Sequence, residues 1–130
     1  MINVEETSYG YKIVFEGFAQ RDDVARLAQN LGQQLSGRDQ PFGCLVDLRQ
    51  SRAIPADAQT DLMQAIGYTT QYGMERCAVA VASAIAKIQA MRVAKETGIY
   101  DTTRFVDASA DGQWEKTALA WIEKGTDPDA

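Results

Sequence analysis

Residues 77–82 read Cys-Ala-Val-Ala-Val-Ala, a short unbroken apolar run. Such a run fits a strand buried on both faces inside a parallel sheet. Its alternation sorts the side chains. Cys77, Val79 and Val81 point to one layer. Ala78, Ala80 and Ala82 point to the other, where small side chains let a helix or a partner chain approach closely.

The flanking sequence supplies the layers this strand needs. Tyr11 to Phe18 alternate, with Tyr11, Ile13 and Phe15 on one side, and predict a strand. Ile2 to Glu6 is a weaker strand, joined to it by a short antiparallel hairpin through Thr7-Ser8-Tyr9-Gly10. Asp22 and Asp23 open a helix whose stripe is Val24, Leu27, Ala28, Leu31 and Leu35. Gly43 to Leu48 is a strand, and Pro55 suits the first turn of a second helix with Leu62, Ala65, Ile66 and Thr69 as its stripe. A third helix covers about Ser83 to Thr97, with Ile85, Ile88 and Met91 as its expected apolar side. Arg104 to Asp107 is a last strand. A fourth helix runs from about Asp111 to Lys124, docking through Trp114, Ala118, Trp121 and Ile122. The four helices stop at Gly37, Gly73, Gly98 and Gly125. The order β-β-α-β-α-β-α-β-α predicts one α/β domain over residues 1–125 with a mixed, mostly parallel five-stranded sheet and right-handed crossovers. A flexible C-terminal tail, residues 126–130, is expected to follow.

Composition removes several functions. The chain has no histidine. That excludes a Ser-His-Asp triad, a Cys-His pair and an imidazole general base. Two cysteines cannot build a Cys₄ zinc site, and no disulfide framework is expected, so a reducing cytoplasm is the expected setting. A balance of 13 basic against 18 acidic residues, with no basic run, argues against nucleic acid as a partner. No apolar stretch reaches the ~20 residues of a membrane span, and residues 1–10 lack the basic and apolar regions of a signal peptide. Neither G-x-G-x-x-G nor G-x-x-x-x-G-K-[ST] occurs, so no cofactor is expected.

Ligands in open α/β sheets favour the carboxyl ends of parallel strands. Asp47, Arg49, Ser83 and Asp107 fall there. Arg49 or Arg92 could hold a carboxylate bidentately. Asp47 and Asp107 could serve as a carboxylate pair, although an Asp at a strand end commonly caps a turn. Cys44 and Cys77, early in buried strands, read as small inert hydrophobes. Tyr68 and Tyr72, four apart on the second helix, are either surface anchors for a partner or the edge of the core stripe.

Four stretches together resemble a known group: YKIVFEGFAQRDD (11–23), CLVDLRQSRAIPADAQTDL (44–62), RCAVAVASAIAKIQ (76–89) and RFVDASADGQWEKTALAWI (104–122). They are similar to the SpoIIAA-like group, the fold of the STAS domain (sulfate transporter and anti-sigma-factor antagonist). The resemblance implies a (βα)n superhelix in which consecutive strands are neighbours. Antagonist members carry a phosphorylated serine at the start of the second helix in a D-S-S-G-like motif. The corresponding stretch here is Ile54-Pro55-Ala56-Asp57-Ala58, without that serine, and Asp57 lies near its place. A further relative of the fold group, the CRAL-TRIO type, binds lipid using extra helices that a chain of this length lacks.

Two functional expectations result. The first is a non-enzymatic interaction module whose second helix, with Asp57, Tyr68 and Tyr72, meets an unidentified protein partner or a second copy. The alternative is a small-ligand domain for an apolar carboxylate or lipid-like molecule, with Asp47, Arg49, Ser83, Arg92 and Asp107 as candidate contacts. A carboxylate-based hydrolase using Asp47 and Asp107 is the remote third.

Overall fold

The strands of the computed structural model, which describes all 130 residues, are β1 (Ile2–Glu6), β2 (Gly10–Gly17), β3 (Phe42–Ser51), β4 (Met74–Val81) and β5 (Thr103–Asp107). They lie side by side in sequence order. β1 pairs antiparallel with β2, and every later pairing is parallel. Helices α1 (Arg21–Leu35), α2 (Ala56–Gln71) and α3 (Ala84–Thr97) each connect two neighbouring parallel strands. Successive right-handed crossovers running in one direction put all three on the same face. α4 (Trp114–Lys124) follows the last strand and returns across the opposite face.

The alternation in β4 decides how the layers divide. Cys77, Val79 and Val81 join the large core under α1 and α2, with Tyr11, Phe15, Leu31 and Cys44. Ala78 joins the smaller core with Leu45, Val106, Ala118, Trp121 and Ile122. Trp121 fixes α4 by donating its indole N–H to the carbonyl of Cys77 at 3.1 Å. Gly43 explains how closely α4 can lie: a methyl group there would collide with Ile122. The glycines that end the four helices all have positive φ, between 70° and 101°, which a side chain would disfavour.

Two expectations change, both in helices. α4 begins at Trp114 rather than Asp111. Asp111 lies two residues before the N-cap, Gln113, and accepts from the Gln113 N–H at 2.9 Å and the Thr117 hydroxyl at 3.0 Å. Beyond α4, Asp127 receives Nε and Nη2 of Arg104 at 2.9 and 3.1 Å. The larger change is in α3. Ile85 and Ile88 are 75% and 67% exposed, and the helix faces the sheet with Ala86, Ala90, Val93 and Ala94.

Candidate functional site

The alanine face of α3 has a consequence for packing. Side chains of this size do not fill the space between a helix and a sheet, and interiors normally leave few voids larger than a water molecule. Here a cavity of about 450 Å³ lies between α2, α3 and the sheet. Its floor is Ile13, Phe15, Cys44, Val46, Cys77, Val79 and Phe105; its roof is Leu62, Ile66, Ala86, Ala90 and Val93. Of 29 lining residues 22 are hydrophobic. Exposed Arg52, Ala53, Ser83 and Ile85 place the mouth at the carboxyl ends of β3 and β4.

The polar groups of the lining are mostly committed to the fold. Thr69 and Thr103 donate their hydroxyls to the carbonyls of Ile66 and Ile99, at 2.6 and 2.7 Å. Gln59 and Gln89 both donate to the carbonyl of Ile54, at 3.5 and 3.3 Å, and so tie the β3–α2 loop to both helices. Cys44 and Cys77 are opposite one another in register and both free. Burial pushes the Cys77 thiol up to about 12 and the Cys44 thiol well above its ordinary value. They are neutral thiols and poor nucleophiles.

The residues expected at a site are dispersed. Ser83 lines the cavity mouth and also caps α3, its hydroxyl accepting the Ala86 N–H at 3.1 Å. Arg92 stands beside the mouth in a shallow groove with Ala53, Ile85 and Ile88. Its guanidinium donates to Gln59 at 3.3 Å and lies 3.8 Å from Glu96. Asp47 and Arg49 are on the other face, following Leu45 in the pleat. Asp47 is 3% exposed and takes both Nε and Nη2 of Arg49, at 3.0 and 2.9 Å. Burial opposes its ionisation, but the Arg49 side chain and backbone N–H outweigh burial and hold the carboxyl below its usual value. Arg49 in turn covers the Trp114 ring at 4.3 Å.

Asp107 alternates with Val106 of the α4-side core, so it leaves the sheet on the side opposite Asp47. It accepts from the hydroxyl and N–H of Ser109 at 2.6 and 2.9 Å, bonds that lower its pKa. The two carboxylates do not share a pocket, and neither has the raised pKa of a general acid. No group of three or more Cys, Asp or Glu side chains comes together in a metal-binding arrangement. Tyr68 and Tyr72 are half-buried against the main core, and Tyr68 lies over Gly32 of α1. Asp57 stands exposed in the first turn of α2. Arg52, at the mouth, carries no sequence signal beyond a cation in a loop.

No family model matches the sequence, and no curated protein is similar to it. Among solved structures, an uncharacterised protein of the DUF3478 family from Shewanella loihica PV-4, described as having a SpoIIAA-like fold, superposes with a TM-score of 0.65. The two sequences are 19% identical, and the match covers 94% of this chain and 92% of that one. This chain has the SpoIIAA-like fold.

Proposed function

We propose that the protein is a binding module, not an enzyme, and that it holds an apolar small molecule between the sheet and helices α2 and α3. The cavity carries this reading. Small-molecule sites are typically preformed apolar hollows of ~300–1,000 Å³, and 450 Å³ lined mainly by hydrophobic side chains falls within that range. With its hydroxyls bonded internally, the lining offers water few partners. The only titratable side chains on it are the two neutral thiols and Arg52, which leaves no general base or activated nucleophile. A reducing compartment keeps those thiols free.

Native mass spectrometry and calorimetry with dodecanol test the proposal. Wild type binds one equivalent. Ala90→Phe, which puts a ring into the cavity roof, abolishes binding while its thermal unfolding stays cooperative. Absence of binding by wild type refutes the reading.

A second reading, self-association through α3, has one observation in its favour: Ile85 and Ile88 are exposed side by side on one helix. Light scattering on wild type and on the Ile85→Ser/Ile88→Ser double variant tests it. A dimer that the variant loses supports it, and a wild-type monomer refutes it.

A further inference from the structure

The charge around the cavity is lopsided in a way that specifies a head group. The chain has 18 acidic residues, yet none is among the 29 that line the cavity. One lining residue is basic, Arg52.

Arg52 also differs from every other arginine in the chain. Arg21, Arg26, Arg49, Arg92 and Arg104 pair with carboxylates. Arg38 and Arg76 donate to backbone carbonyls. The Arg52 guanidinium makes no hydrogen bond and no ion pair; it rests 4.9 Å from the Phe18 ring. Its main chain is fixed, because its N–H donates to the carbonyl of Gly17 at 2.9 Å. An anchored backbone at the mouth thus presents five unused N–H donors in a planar fork.

The rest of the rim favours the same sign. The cap of α3, Ser83, lies there, and the first turn of the helix holds no acidic residue. The positive end of its dipole is therefore not offset by a side chain of that turn.

We propose that the cavity takes an amphipathic monocarboxylate, its hydrocarbon chain along β4 and its carboxylate on the Arg52 guanidinium at the mouth. The proposal rests on the cavity reading above and adds the head group. Arginine and carboxylate match in geometry and form paired charge-assisted hydrogen bonds. A neutral alcohol of equal chain length fills the same cavity and lacks that bond.

Calorimetry with dodecanoate and dodecanol, on wild type, Arg52→Gln and Arg52→Lys, tests this. Wild type binds dodecanoate about tenfold more tightly than dodecanol, the range expected of charge-assisted hydrogen bonds. Arg52→Gln abolishes the preference. Arg52→Lys keeps part of it. Equal affinity of wild type for acid and alcohol, or a preference that survives Arg52→Gln, overturns the head-group assignment and leaves the cavity reading standing. Failure of wild type to bind either ligand overturns both.

Discussion

Asp47 and Arg49 face the same side of β3, two residues apart, and close a two-bond ion pair at 3.0 and 2.9 Å beneath Trp114. Strand alternation puts them together, and the indole of α4 covers the guanidinium. The pair joins the sheet to its lone helix on that face, on the far side from the cavity. Residues that the sequence marks as ligand contacts are thus used in holding α4.

Replacing Asp47 with Ala removes those bonds and leaves Arg49 free to turn to solvent. Chemical denaturation should show a loss of about 1–3 kcal/mol, the usual cost of deleting hydrogen bonds to a charged group. The folded carboxyl has a depressed pKa, so its contribution is present above the unfolded value of 3.8 and disappears as pH falls through the folded one. The wild-type advantage over Asp47→Asn should therefore narrow below pH 4, measured by thermal melts across that window.

The buried thiols act at the opposite end of the pH scale. Both have raised folded values, so the stability they contribute is complete below the ordinary thiol value of 9.0 and is lost as pH rises above it, for Cys77 toward about 12. Cys44→Ala/Cys77→Ala should flatten the alkaline decline of stability relative to wild type. An aromatic disulfide reagent at pH 8 should label the folded protein slowly and the unfolded chain quickly.

Gly43 is a test of the α4 contact. A methyl there would strike Ile122 and crowd the Arg76 carbonyl. Gly43→Ala should cost about 1–3 kcal/mol by overpacking. Ile122→Ala removes the Cγ2 that this methyl would strike, so the double variant should cost less than the sum of the two single changes, a coupling readable in a double-mutant cycle.

Ile85 and Ile88 make the converse case. Their exposure predicts that Ile85→Ser and Ile88→Ser each shift the unfolding free energy by no more than about 0.5 kcal/mol. Val93→Ala, on the inward face of the same helix, should cost more, about 1–3 kcal/mol.

The fold was legible where one side-chain period dominated. The β4 alternation separated Val79 from Ala78 and thereby assigned both cores, and the α1 stripe matches its buried residues one for one. α3 was not legible. Its inward residues are mainly alanines, weak apolar markers, whereas the conspicuous Ile85 and Ile88 point outward. The same alanines leave the cavity open, and a void carries no residue pattern of its own. Arg52 was missed because a cation in the loop between β3 and α2 follows no spacing rule; only the absence of an acceptor around it distinguishes it. Asp107 does end β5, whereas β3 runs on to Ser51 and places Asp47 and Arg49 within the strand, where pleat orientation decides what they do.

The central claim is that the space under α3 is a ligand site. Titration of dodecanol into wild type and Ala90→Phe, followed by native mass spectrometry, tests it most directly. The account predicts one bound molecule on wild type and none on a folded Ala90→Phe. An unliganded wild-type mass at saturating dodecanol, or equal occupancy of both proteins, would contradict it.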